Sequence, residues 1–208
     1  MSIEVKICGI NDASGLQAAI EGGARYVGFV FYPPSRNAIS PDDAHKLAAL
    51  VPPHVTKTGL FVDARDDELR AVTARVPLDL IQLHGKETPQ RVSEVRALTG
   101  LPVMIAIRLM TAANLETVPS YEAVADRLLF DSRSGAEASG GPIDWPLLKG
   151  RTFKKPWLLA GGLNAQNLAE AVKASGAVAV DVSSGVEDRP GHKSPEKVRA
   201  FLSVAAAL

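Results

Sequence analysis

The sequence predicts an α/β fold in which eight parallel strands, each followed by a helical segment, close into a single compact (β/α)8 barrel. Short apolar runs alternate with helical patterns along the chain, and most runs are continuously apolar, as in a parallel sheet covered on both faces. Dividing 208 residues among eight units leaves about 26 for each, close to the minimum for a strand–helix unit. An open doubly wound sheet fits the same alternation, but eight units without a spare segment favour the barrel. We therefore expect one domain over residues 1–208, with short loops.

The predicted strands are rich in Val, Ile, Leu or Phe. They are Ile3–Cys8, Arg25–Val30, Val55–Phe61, Leu80–His84, Val103–Ile107, Arg127–Phe130, Trp157–Ala160 and Val178–Val182. The helical segment after the sixth strand is the weakest, because residues 144–148 supply little more than a turn.

Helix starts are marked by side chains that can accept a hydrogen bond from the first helical turn. Ser40, Thr88 and Ser194 each precede a proline, the pattern of an N-cap followed by the first helical residue. Asp12 and Asn164 are the predicted caps of two further helices. With these starts, apolar residues recur at helical spacing on the face that would cover the barrel.

Composition excludes several classes of protein. The 23 Lys+Arg balance 23 Asp+Glu, so the net charge is zero and no basic stripe for nucleic acid is expected. No stretch of 18 apolar residues exists, so we expect no membrane span. The single Cys8 excludes intramolecular disulfides and CxxC sites, and a lone cysteine is typical of a cytoplasmic chain. The histidines lack metal-ligand spacing, so no metal is expected.

Glycines and serines follow the last two predicted strands, where barrels of this kind often bind phosphate. Glycine lets backbone N–H groups approach an anion, serine hydroxyls add donors, and the N-terminus of a following helix adds positive potential. These glycines could instead serve only tight turns. A second glycine pair, Gly140-Gly141, precedes the weak sixth helix and could form a third side of the phosphate site, beside the two segments after the last two strands. The predicted phosphate-binding residues are Gly141, Gly161, Gly162, Ser183, Ser184 and Gly185.

A thiol and a carboxylate end two other strands. Cys8 precedes Gly9 at the end of the first strand, and Asp131 ends the sixth. A free cysteine is often a small buried apolar residue, and Asp131 could cap a turn or pair with Arg133. In one barrel mouth, however, the thiolate could act as a general base and the aspartic acid as a general acid. The reference thiol pKa of about 8.5 puts ionisation within reach near neutrality.

Arg36 and His84 also follow strands. The planar fork of Arg36 suits a carboxylate ligand, although an ordinary surface arginine is the simpler interpretation. His84 is either a site residue or a hydrogen-bonded structural histidine.

The barrel interior should hold an ion pair. Side chains alternate along a strand, so Lys6 points the same way as Cys8, into the barrel, and Asp181 shares a face with Ser183. Strands one and eight are neighbours in a closed barrel, and an unpaired charge there would be costly. We therefore expect Lys6 and Asp181 to pair below the strand ends, to hold the strand of Cys8 and to favour its thiolate.

Several segments together resemble one enzyme family over nearly the whole chain, in the family's order. They are Lys6-Ile7-Cys8-Gly9-Ile10, Gly28-Phe29-Val30-Phe31 with Ser35-Arg36, Gln82-Leu83-His84-Gly85, Leu129-Phe130-Asp131-Ser132, Ala160-Gly161-Gly162-Leu163-Asn164, and Val180-Asp181-Val182-Ser183-Ser184-Gly185-Val186-Glu187, followed by Pro190-Gly191 and Lys193. The family is phosphoribosylanthranilate isomerase, a TIM barrel. Pro142-Ile143 and Ser194 depart from its usual pattern.

The resemblance implies an Amadori rearrangement in tryptophan biosynthesis. N-(5-phosphoribosyl)anthranilate would become 1-(2-carboxyphenylamino)-1-deoxyribulose 5-phosphate. Asp131 would protonate the furanose ring oxygen, Cys8 would remove the proton on C2, and Arg36 would hold the anthranilate carboxylate. No cofactor is needed, because the substrate's own iminium is the electron sink.

The resemblance implies a small phosphosugar-anthranilate substrate, and the lone cysteine predicts a cytoplasmic enzyme. The sequence leaves open a monomer, which short loops allow, and a homodimer, which exposed apolar residues at the rim allow. Two alternatives use a similar barrel. An enzyme like indole-glycerol-phosphate synthase needs a lysine and glutamate pair that the strand ends do not supply. A non-catalytic phosphosugar-binding barrel is disfavoured only by the joint presence of Cys8 and Asp131.

Overall fold

Eight parallel strands close into a barrel in chain order, as the sequence predicts, and the eighth is hydrogen-bonded to the first. The computed structural model describes residues 3–132 and 144–208. The barrel strands are β1 (Glu4–Cys8), β2 (Tyr26–Val30), β3 (Thr56–Phe61), β4 (Leu80–Leu83), β5 (Val103–Arg108), β6 (Arg127–Asp131), β7 (Trp157–Leu159) and β8 (Ala179–Val182). All eight observed strands overlap the predicted ones.

Regular helices cover the barrel after six of the strands. They are α1 (Ala13–Glu21), α2 (Pro41–Ala48), α3 (Asp66–Arg75), α4 (Pro89–Thr99), α6 (Leu168–Ser175) and α7 (Pro195–Ala206). After β5 the chain forms a 3-10 helix, Ala112–Thr117, and the short α5 (Val118–Glu122). Before β7, a single 3-10 turn, Trp145–Leu148, stands where the sequence predicted the weakest helix.

Four of the five predicted N-caps are confirmed. Asp12, Ser40, Thr88 and Ser194 each accept a hydrogen bond from a backbone N–H of their helix. Asn164 is not the cap of α6. It accepts hydrogen bonds from two backbone N–H groups of a turn that precedes the helix, whose N-cap is Asn167.

A hairpin that the sequence analysis did not anticipate separates β8 from α7. A short 3-10 turn, Ser184–Val186, leads into β9 (Glu187–Arg189), which pairs antiparallel with β10 (His192–Lys193). Helix α7 therefore begins a whole hairpin after the strand end, and α6 begins six residues after Gly162. A helix does follow each glycine-serine segment, as expected, but additional chain separates the segment from the helix N-terminus.

The barrel interior is mixed apolar and polar. Its apolar side chains form two buried clusters. One contains Cys8, Val30 and Leu60, and the other contains Tyr26, Leu80, Met104, Ala106, Leu129, Leu158, Ala160 and Ala179. Its most buried polar side chains, Lys6, Thr58 and Gln82, are 0% exposed. A larger apolar core lies between the strands and the helices. None of the helices in the described parts of the chain is both long and apolar enough to cross a membrane.

The N-cap of α4 provides a test of these helix starts. Thr88 Oγ1 accepts a hydrogen bond of 3.2 Å from Arg91 N. We expect Thr88→Ala to lower the free energy of unfolding by about 1 kcal/mol, measured by urea denaturation. Ser93→Ala on the same helix is the control, because the exposed Ser93 hydroxyl only donates to the carbonyl of Pro89; its effect should stay within about 0.5 kcal/mol. Equal effects of the two substitutions would contradict the cap assignment.

Candidate active site

The predicted ion pair lies inside the barrel, where β1 and β8 close it. Register places Lys6 beside Asp181, and Lys6 Nζ lies 2.8 Å from Asp181 Oδ1. The Lys6 side chain is fully buried and that of Asp181 is 7% exposed. Burial alone would lower the pKa of Lys6, but Asp181 and Cys8 outweigh it and raise that pKa. The lysine is therefore held as a buried ammonium.

Cys8 is buried at the end of β1, next to this ammonium. A Cβ at position 28 would lie 3.1 Å from both Cys8 Sγ and Lys6 Nζ, so Gly28 leaves the space that the two groups share. Burial raises the pKa of Cys8; the Lys6 ammonium lowers it, Asp181 raises it, and Lys193 lowers it slightly. The net direction is upward. The pKa of the thiol thus shifts away from neutrality, opposite to the direction favoured by Lys6, because desolvation outweighs the nearby cations.

Asp131 ends β6 and contacts His84. The Asp131 side chain is 12% exposed, and its Oδ2 lies 3.5 Å from His84 Nε2. Gln82 Nε2 lies 2.9 Å from His84 Nδ1. If the Gln82 amide donates to Nδ1, a neutral imidazole carries its proton on Nε2, facing Asp131. His84 thus lies against Asp131, which favours the interpretation as a site residue, and it is held by Gln82, a residue to which the sequence analysis gave no role.

The two glycine-serine segments and Asp131 line one cavity of about 50 Å³. Gly161 has φ +89°, and a Cβ there would lie 3.2 Å from Asp131 Oδ1, so only glycine gives the carboxylate this space. A Cβ on Gly185 would overlap the Leu163 carbonyl oxygen, so that glycine lets the two loops touch. The residues lining the cavity are Asp131, Ala160, Gly161, Gly162, Leu163, Asp181, Ser183 and Ser184. The predicted third side of the phosphate site, at Gly141, lies outside the described residues.

Asp181 connects the two halves of the site. Its carboxylate lines the cavity that Asp131 shares and also binds Lys6, which contacts Cys8. Cys8 is thus linked through Lys6 and Asp181 to the cavity that Asp131 also lines. Within residues 3–132 and 144–208, no group of three or more His, Cys, Asp or Glu side chains is arranged to hold a metal ion.

Arg36 lies on the loop after β2 and forms an ion pair with Glu187. Its Nη2 lies 3.3 Å from Glu187 Oε2, while about half of the side chain (49%) remains exposed. Glu187 is also bound by Lys193, a fully buried lysine. Sequence reasoning assigned no role to Glu187 or Lys193 beyond their place in the resemblance. The Pro190-Gly191 pair between them, a turn signal flanked by charges, could have indicated the hairpin.

Comparisons with a family model and with individual known proteins identify the same family. The sequence model of the family described as N-(5'-phosphoribosyl)anthranilate (PRA) isomerase matches residues 5–204. An N-(5'-phosphoribosyl)anthranilate isomerase of Rhodospirillum centenum is 56% identical over 214 aligned positions, covering 100% of both chains. The corresponding protein of Paramagnetospirillum magneticum is 53% identical over 99% of this chain and 98% of its own.

Solved structures agree with the sequence comparison. The phosphoribosyl anthranilate isomerase of Thermotoga maritima superposes with a TM-score of 0.90 at 34% identity, covering 99% of this chain and 100% of its own. A phosphoribosyl anthranilate isomerase in complex with reduced 1-(o-carboxyphenylamino)-1-deoxyribulose 5-phosphate superposes with a TM-score of 0.85 at 32% identity, with the same coverage. On the strength of its barrel, its strand-end residues and these full-length matches, the chain belongs to the N-(5'-phosphoribosyl)anthranilate isomerase family.

Proposed function

We propose that this chain converts N-(5'-phosphoribosyl)anthranilate into 1-(2-carboxyphenylamino)-1-deoxyribulose 5-phosphate, with Asp131 as general acid and Cys8 as general base. The full-length family match supports the reaction. The observation that carries the assignment of roles is that Asp131 shares one cavity with Asp181, whose ion pair with Lys6 places the ammonium beside Cys8. A carboxyl and a thiol in one half-closed mouth can serve two successive proton transfers.

The acid step opens the sugar ring. Asp131 gives its proton to the furanose ring oxygen, the bond from C1 to that oxygen breaks, and the nitrogen lone pair forms the C1=N iminium. His84 Nε2, 3.5 Å from Asp131 Oδ2, is positioned to hold the carboxyl group and to support the carboxylate after it has lost its proton. Gln82, hydrogen-bonded to the other ring nitrogen, keeps the imidazole in that orientation.

The base step uses the charge that the first step creates. Burial raises the pKa of Cys8, so the thiol by itself remains protonated at neutral pH. A cationic iminium bound next to Cys8 adds a second positive charge to that of Lys6 and favours loss of the thiol proton to solvent. The resulting thiolate removes the proton from C2. The electron pair of that C–H bond forms the C1=C2 bond of the enolamine, and the π electron pair of the C1=N bond returns to nitrogen. Return of a proton to C1 and loss of the hydroxyl proton at C2 give the ketone.

The two ends of the substrate bear negative charges that the site can match. The backbone N–H groups and hydroxyls of Gly161, Gly162, Ser183 and Ser184 suit the phosphate, beside the cavity that also contains Asp131. The exposed part of the Arg36 guanidinium suits the anthranilate carboxylate. The iminium acts as electron sink, so this scheme requires no cofactor. A reduced thiol at Cys8 supports the cytoplasm as the compartment.

Turnover by three proteins tests the assigned roles. We expect Cys8→Ala and Asp131→Asn each to lower kcat by about 10²- to 10⁴-fold, because each removes one proton-transfer group. The measurement is the change in substrate fluorescence as N-(5'-phosphoribosyl)anthranilate is consumed. Asp67→Asn, the same chemical change on an exposed carboxylate paired with Arg65, is the control and should retain the wild-type rate.

The same experiment distinguishes the alternatives. A non-catalytic phosphosugar-binding barrel would bind the ligand without turnover in any of the proteins. Full activity of Cys8→Ala would exclude the thiol as the base, and full activity of Asp131→Asn would exclude that carboxyl as the acid.

The ionisation of Cys8 provides a test that does not depend on turnover. We expect the thiol to ionise at higher pH in the folded protein than in the urea-unfolded protein. The measurement is the ultraviolet absorbance of the thiolate as a function of pH, with Cys8→Ala as the blank. Because the folded-state pKa is the higher one, the stability that this group contributes is complete below the unfolded-state pKa, about 8.5. It is lost as pH rises toward the folded-state value.

The free energy of unfolding of the wild-type protein should therefore fall more steeply above this pH than that of Cys8→Ala. Parallel curves for the two proteins, or a folded thiol that ionises below the unfolded one, would contradict the direction of the pKa shift.

A further inference from the structure

A second buried lysine, Lys193, lies outside the barrel beneath the loops that carry the substrate-binding groups. It is 0% exposed, and its ammonium has three acceptors: Glu187 Oε1 at 2.8 Å, Asn37 Oδ1 at 3.2 Å and Ser183 Oγ at 3.2 Å. An ammonium has three N–H donors, so these contacts satisfy it completely. The catalytic scheme above does not use this lysine.

The partners of Lys193 lead to both ends of the proposed substrate. Ser183 belongs to the loop after β8, which lines the phosphate-sized cavity. Glu187 uses its other oxygen, Oε2, to hold Arg36 Nη2 at 3.3 Å. The ammonium therefore lies between the group proposed for the phosphate and the carboxylate that anchors the arginine proposed for the anthranilate.

The charge state of Glu187 suits this bridging position. Burial would raise its pKa, but the hydrogen bond and charge of Lys193 and the N–H of Gly191, among other contacts, lower it below its usual range. A permanently ionised Glu187 is shared between two cations, one buried and one half-exposed. Nη2 of Arg36 lies 3.3 Å from Glu187 Oε2, while about half of the arginine side chain faces solvent.

Packing fixes the bridge in place. Asn11 Nδ2 donates to the Gly191 carbonyl at 2.8 Å, which ties the hairpin turn to the loop after β1. A Cβ on Gly191 would overlap the Arg36 carbonyl oxygen, so the turn rests directly on the backbone of the arginine loop. A Cβ on Gly15 would lie 3.0 Å from Lys193 Cβ, so α1 closes over the lysine stem. The hairpin thus contacts two loops of the barrel mouth, those after β1 and β2, and helix α1.

We propose that Lys193 is a positioning residue of the substrate site: through Ser183 and through Glu187 with Arg36, it sets the spacing and orientation of the phosphate-binding and carboxylate-binding groups. This inference rests on the function proposed above and deepens it. A ligand with an anion at each end gains from such a bridge because neither group has to be ordered when the ligand binds.

The test compares binding of three probes by calorimetric titration. They are reduced 1-(2-carboxyphenylamino)-1-deoxyribulose 5-phosphate, the same compound without its carboxyl group, and inorganic phosphate. The ratio of the first two dissociation constants gives the factor that the carboxylate adds to affinity. In Lys193→Met we expect that factor to fall at least threefold and the dissociation constant of phosphate to rise at least threefold.

A second variant guards against a protein that fails to fold. Lys193→Met leaves Glu187 without its buried counterion, whereas the double variant Lys193→Met/Glu187→Gln removes both charges and is expected to fold more readily. The proposal requires the carboxylate factor and the phosphate affinity to remain reduced in this double variant. Asp188→Asn, which breaks the exposed pair with His192 in the same hairpin, is the matched control and should bind all probes as the wild type does.

Each outcome supports or overturns the inference. A double variant with the wild-type carboxylate factor and phosphate affinity would show that the pair only stabilises the fold, and would overturn the positioning role. If the wild-type protein turns over substrate but binds the ligand no more tightly with its carboxyl group than without it, the positioning role of Lys193 is overturned and the proposed function is not. A wild-type protein that binds all three probes without turnover would instead contradict the proposed function.

Discussion

The buried pair of Lys6 and Asp181 is the interaction on which the rest of the site depends. It lies where β8 meets β1, inside the barrel and beneath the strand ends. Moving either charge alone out of water into such an interior costs several kcal/mol, so each residue requires the other. Because the two strands are far apart in sequence, the pair forms only when the barrel closes. It couples closure of the fold to the placement of an ammonium against Cys8.

Two buried lysines therefore surround the proposed base from different sides. Lys6 contacts the thiol from within the barrel, and Lys193 contributes a weaker positive potential from the hairpin side. Neither overcomes the desolvation of the thiol, and the pKa of Cys8 is raised. A base arranged in this way stays protonated until a further positive charge arrives, and the iminium of the ring-opened substrate provides one. This electrostatic arrangement is consistent with the proposed order, in which the acid acts first and the base second.

Periodicity was sufficient to predict the barrel and its interior pair. Continuous apolar runs located every strand, and the two-residue alternation placed Lys6 and Asp181 on inward faces before any contact was known. Local capping chemistry predicted four helix starts, because an N-cap and its helix are adjacent in sequence. The prediction of Asn164 as an N-cap was wrong because its side chain can equally well accept hydrogen bonds from the backbone of an isolated turn.

Features that depend on contacts between distant segments were not predictable in this way. Lys193 and Asn37 are 156 positions apart, and no periodicity links them. The hairpin of β9 and β10 is too short for an alternating pattern, so only its Pro190-Gly191 turn is visible in the sequence. The pKa of Cys8 depends on how completely the loops and strands exclude water, which residue types alone do not determine.

The central claim is that the Lys6–Asp181 pair favours the ionisation of the proposed base. The double variant Lys6→Met/Asp181→Asn tests it most directly, because it leaves no unpaired charge inside the barrel. Lys6 lowers the pKa of Cys8 more than Asp181 raises it, so removing both leaves the thiol harder to ionise. The measurement is the pH dependence of kcat/KM. The acidic limb, which reports ionisation of the base, should move to higher pH in the double variant. A limb at the same pH as in the wild-type protein, with an unchanged maximal rate, would contradict the claim.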